Sequence, residues 1–72
     1  MISLPTEQEA RAMLPSQLRK TLVQYFQFEA DKRRNLGIEI YNQDDAMNSA
    51  RYLVRSGVLL VRQVLDAYDD VR

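Results

Sequence analysis

The stretch DDAMNSARYLVRSGVLLVRQVLDAYDDV, residues 44–71, decides the fold class. Apolar or small residues recur in it at Ala46, Met47, Ala50, Leu53, Val54, Gly57, Val58, Val61, Val64, Leu65 and Tyr68. Steps of three and four place them on one helical face, and a face this broad has to be covered by something large. Either Asp44 or Asp45 suits the helix start, where a carboxylate caps free amides and meets the positive end of the dipole. The spacing predicts a single helix over roughly 44–71.

Working upstream, Asn42 and Gln43 with the two aspartates form a polar turn. Before it, Leu18, Leu22, Tyr25, Phe26, Glu29, Arg33, Leu36 and Ile40 fall on one stripe. Gly37 has the character of a helix C-cap, but Leu36 and Ile40 stay in phase with Leu18 and Leu22, so the reading carries this helix from about 16 to 41. Pro15 suits its first turn. Further upstream, Thr6 and Glu9 have capping-box spacing and predict a short helix over about 6–14. Two long helices of similar length joined by a short polar turn are antiparallel neighbours. The expected fold is all-α, one domain over 1–72: a long antiparallel helical hairpin preceded by a short N-terminal helix.

A hairpin leaves too much apolar surface. Val23, Phe28, Ile38, Tyr52, Leu59 and Leu60 lie off its seam, and the GVLLV run at 57–61 is apolar nearly all round. A chain of 72 residues without cysteine or histidine has no disulfide and no zinc site to complete a small core. Self-association into a two-fold four-helix bundle is therefore expected, with Gly57, Val58, Leu60, Val61 and Val64 in the seam between copies. The competing arrangement is a monomer in which the N-terminal helix folds over Leu59 and Leu60.

Composition narrows the function. Hydrophobic residues make up 46% and charged residues 28%, as in ordinary globular chains. Without histidine or cysteine the usual general base, thiolate nucleophile and soft metal ligands are missing, so no enzyme, cofactor, catalytic residue or metal is expected. The acid pairs Asp44–Asp45 and Asp69–Asp70 lack the spaced oxygens and glycine of a calcium loop. No stretch approaches the length needed to span a bilayer and no signal-peptide pattern opens the chain, so a cytoplasmic protein off the membrane is expected.

The formal net charge is zero, yet the charges are blocked. Residues 11–34 and 51–62 are basic, and folding the hairpin would set Lys32, Arg33 and Arg34 beside Arg51 and Arg55. Arginine's fork of donors suits carboxylates and phosphates, while exposed aromatics anchor protein interfaces. The expected partner-binding residues are Phe28, Lys32, Arg33, Arg34, Arg51, Tyr52, Arg55 and Leu59. Glu29 with Arg33 reads as a polar pair in or beside the hairpin seam. The expected role is a small non-enzymatic adaptor or regulator that blocks or bridges another protein, such as a phage- or plasmid-borne inhibitor or an assembly subunit. The alternative is a nucleic-acid-binding regulator whose dimer joins two basic clusters into a strip; zero net charge and the lack of a clear recognition-helix turn count against it.

Overall fold

Thr6 caps the first helix as its spacing foretells: its Oγ1 accepts from the Glu9 amide at 3.2 Å, and Glu9 Oε1 accepts from the Thr6 amide at 2.8 Å. Helix α1 then runs Glu7–Ala12, α2 Pro15–Leu36, α3 Gln43–Arg55 and α4 Val61–Asp69. These come from a computed structural model that describes residues 2–71; Met1 and Arg72, the ends of the expected single domain, lie outside the described residues. The chain is all-helical, with no strand among the described residues.

Two glycines set the boundaries that periodicity misses. Helix α2 stops at Leu36 rather than near Tyr41, because Gly37 takes φ +69° and closes a Schellman motif: its own amide reaches the Arg34 carbonyl at 3.2 Å and the Ile38 amide reaches Arg33 at 3.1 Å. Residues 44–71 are likewise not one helix. Gly57 takes φ +81°, its amide donates to the Val54 carbonyl at 3.1 Å and the Val58 amide to Leu53 at 2.9 Å, so α3 ends and residues 56–60 form a linker. The chain then re-enters a helix at Val61, where the Gln63 side chain accepts from the Leu60 amide at 2.7 Å. Among the described residues, the expected pair of unbroken long helices is thereby replaced by three, α2, α3 and α4.

Helix α4 packs against both α2 and α3, and α1 lies along α3. Each long element turns a three- or four-residue stripe inward: Leu18, Leu22 and Phe26 from α2; Ala46, Ala50 and Leu53 from α3; Val64, Ala67 and Tyr68 from α4. The alanines let α3 and α4 approach closely. Leu59 and Tyr41 close the two ends of this core from the linkers. Val64, expected in a seam between copies, is fully buried inside the single chain, because the break at Gly57 turns α4 back onto α2.

At one end of the core Phe26, Tyr41 and Tyr68 form a triangle of rings with centroids 6.2 to 6.4 Å apart. The Tyr68 hydroxyl donates to the Tyr41 carbonyl at 2.9 Å, and the Tyr41 hydroxyl meets Ser49 Oγ at 2.8 Å. Burial, opposed by the Ser49 hydrogen bond and reinforced by the charges of Tyr25, Glu29 and Asp45, pushes the Tyr41 phenol up to about 12. An unfolded tyrosine ionises near ~10. The fold binds this proton more tightly than the open chain does, so the contribution is fully present below pH 10 and is lost as pH climbs towards 12. Urea unfolding followed by circular dichroism should show stability falling by on the order of 2 kcal/mol across that window, with Tyr41→Phe removing most of the slope.

Candidate functional site

Helix α2 rises along about 33 Å at 1.5 Å per residue, most of the molecule's 36 Å long axis, so its two ends mark two poles. At the N-terminal pole, the α1–α2 corner faces the linker between α3 and α4 across a groove of about 640 Å³. Leu18, Leu22 and Leu59 line it with Met13 and Val58, while Arg11, Arg19 and Asp66 carry charge there. The arginines are held in place. Arg11 bonds Glu7 at 2.9 Å and the Ser56 carbonyl at 2.7 Å, tying α1 to the linker, and Arg19 pairs with Asp70, tying α2 to the end of α4.

At the opposite pole, residues 36–40 cross from α2 towards α3 with their apolar side chains outward. Leu36 is 62% exposed, Ile38 55% and Ile40 81%, and beside them lies a second hollow of about 410 Å³ lined by Ala30, Arg34 and Ile38 among others. Phe28, half-buried, and Lys32, exposed, lead towards Leu36 at four-residue steps along α2. The exposed apolar trio was not among the expected binding residues. Its signal was Gly37: a helix ending there takes Ile40 out of the stripe and leaves Leu36 in the last turn, beside Ile38, which lies off the stripe.

The expected partner-binding residues are dispersed. Arg33 turns inward: its Nη1 meets Asp45 Oδ2 at 3.0 Å, both side chains are about 28% exposed, and its guanidinium carbon sits 5.0 Å over the Tyr41 ring. Its ion-pair partner is thus the capping aspartate of α3, not Glu29. Arg34 pairs with Asp31 at 3.2 Å, and Arg51 bonds Asn48 at 2.7 Å. Arg51 and Arg55 lie six and ten residues beyond Asp45, about 9 and 15 Å further along α3, so within one chain they leave the Lys32–Arg34 cluster. Both are exposed. The Tyr52 ring is part-exposed and its hydroxyl donates to the Pro5 carbonyl, holding the N-terminal segment; burial, then the Tyr25 and Glu9 charges, raise its pKa.

The GVLLV run divides between inside and outside. Leu59 is 4% exposed and belongs to the chain's own core, so it is not the exposed contact point expected from the sequence but part of the groove floor; Val58 is half-buried in the groove wall. Gly57 is exposed at the turn, and Leu60 and Val61 remain about half exposed. The alternation arises because residues 56–60 are linker, so their side chains do not follow helical phase. Among the described residues no group of three acidic side chains gathers as a metal would need, and no helix is long and apolar enough to cross a membrane. No family model matches this chain, and neither the curated proteins nor the solved structures yield a match.

Proposed function

We propose that this chain is a small non-enzymatic helical adaptor or regulator that binds another protein and acts by occupancy, blocking or bridging it. The observation that carries the reading is the groove between the α1–α2 corner and the linker before α4. Its volume of about 640 Å³ suits a few side chains of a partner segment, and its lining is mixed, with Leu18, Leu22 and Leu59 at the floor and charge from Arg11, Arg19 and Asp66. Apolar contact supplies affinity in such a site, and the charges orient the partner and set the encounter rate. Histidine and cysteine are absent from the chain, so this reading assigns it no chemical step.

Ser16 offers a clean test, because it lines the groove yet is exposed in the first turn of α2. In affinity capture from host-cell extract, the wild-type chain should retain a discrete protein that Ser16→Trp, which fills the groove, loses by roughly tenfold or more. Capture of nothing, or equal capture by both chains, overturns the reading. Equal circular-dichroism spectra for the two chains show that the fold is intact.

A further inference from the structure

The opposite pole carries a second, independent surface. Leu36, Ile38 and Ile40 stand in solvent within five residues, and a hollow of about 410 Å³ opens beside them against Ala30 and Arg34. Exposed apolar side chains and a hollow that Ile38 and Ile40 help to line therefore lie in one patch, which a two-fold contact uses twice, since each copy offers the same surface to the other.

Three observations select the occupant. First, the charges around the patch are of both signs: Lys32 is exposed one turn before Leu36, Glu39 is exposed between the two isoleucines, and Asp44 is exposed in the first turn of α3. A rim of one sign would call for a partner of the opposite sign, whereas a mixed rim complements its own two-fold image. Second, the formal net charge is zero, so two copies meet without long-range repulsion. Third, the chain exposes 5021 Å². A compact monomer of its mass is expected to expose only about 4,600 Å². The difference of roughly 400 Å² is spread over the whole surface, and three of the eight large exposed apolar side chains among the described residues lie in this patch, which fits a small, reversible contact.

We infer that a second copy of this chain docks on the Leu36–Ile38–Ile40 patch, forming a two-fold dimer in which Lys32 of one protomer faces Glu39 of its partner. The interface lies at the far end of α2 from the GVLLV run, and the dimer leaves a groove open at each outer end. The inference does not depend on what the groove binds.

Sedimentation velocity on the full chain from roughly 5 to 500 µM tests it, with a reversible, concentration-dependent shift from monomer to dimer expected within that range. Ile40→Glu should weaken association at least about tenfold without changing the helical signal, because Ile40 is solvent-exposed in the monomer. Val61→Glu, at the other pole, should leave association as in the wild type. Lys32→Glu and Glu39→Lys should each weaken the dimer, and the double exchange should restore it. A wild-type chain that stays monomeric throughout overturns the inference. So does a dimer broken by Val61→Glu and kept by Ile40→Glu, which would place the seam on the GVLLV side. A monomer withdrawn from solution by phosphatidylglycerol vesicles through Ile40 also overturns it and assigns the patch to a lipid surface.

Discussion

Phe26→Ala should lower the unfolding free energy by ~3–5 kcal/mol, the range for deleting a buried aromatic ring. Phe26 has no exposed surface and touches the rings of Tyr41 and Tyr68, so one side chain joins α2, the 37–42 linker and α4. Neither neighbour is free to close the cavity, since the Tyr68 hydroxyl is tied to the Tyr41 carbonyl and the Tyr41 hydroxyl to Ser49. A domain of this length has only ~4–11 kcal/mol of stability to lose. The variant should therefore melt far below the wild type in urea, with a sizeable unfolded fraction before denaturant is added. Phe28→Ala, on a half-buried position two residues away, should cost well under half as much. If Phe28 proved the costlier of the two, α2 would be rotated about its axis relative to the arrangement described.

The second large effect separates the observed fold from a bundle completed only between copies. Val64 is fully buried among apolar neighbours, so Val64→Asp places a carboxylate where no partner can hydrate it. The cost of a buried unpaired charge exceeds several kcal/mol, and the chain should lose its helical signal at neutral pH. Burial raises the folded-state pKa of that carboxyl above its unfolded value, so the penalty is largest at high pH and shrinks as pH falls. Relative to the wild type at each pH, the variant should regain helix on acidification through about pH 6 to 4. Val61→Asp, three residues earlier and half exposed, sits in the first turn of α4 where negative charge is favourable, and should cost under about 1 kcal/mol. A Val64→Asp chain that kept its helices and merely lost a partner copy would restore the inter-chain seam expected from the sequence.

Signals that act within one helical turn are the most legible in this sequence. Thr6 with Glu9 and Pro15 at a helix start act within one turn and stand where the spacing puts them, whereas the polar turn before residue 46 is shorter than expected: Asn42 is the cap, and Gln43, Asp44 and Asp45 already form the first turn of α3. The inward stripe Leu18, Leu22, Phe26 was legible for the same reason. Breaks were harder, because apolar phase continues across them: Leu53 and Val64 serve one core from two different helices, so the interval between them looks helical although residues 56–60 are not. Glycine was the sole local mark of both breaks. A mid-helix glycine costs only about 1 kcal/mol, too little for Gly57 to decide against the ten other apolar positions in phase with it. The misplaced site residues follow directly: Leu59 and Val64 moved inside once the long helix folded at Gly57, while Ile40 left the stripe, exposed with Leu36 and Ile38, once α2 ended at Gly37. The groove drew on residues more than forty positions apart, such as Arg11 and Leu59, and no local pattern announces such a meeting.

The placement of α4 also orders events during synthesis. It is the helix against which both α2 and α3 pack, and it comes after them along the chain. A ribosome adding about 5–20 residues per second takes roughly 2 to 8 s to proceed from Phe26 to Tyr68. Helical domains with short connections fold in microseconds to milliseconds once complete. The nascent chain thus spends far longer waiting for α4 than folding around it, with the Leu22–Phe26 face without its α4 partner throughout and the Ala50–Leu53 face from its own synthesis onward. For this protein the interval in which a chaperone or an aggregating neighbour finds apolar surface is set by translation speed over residues 27–68 rather than by a folding barrier.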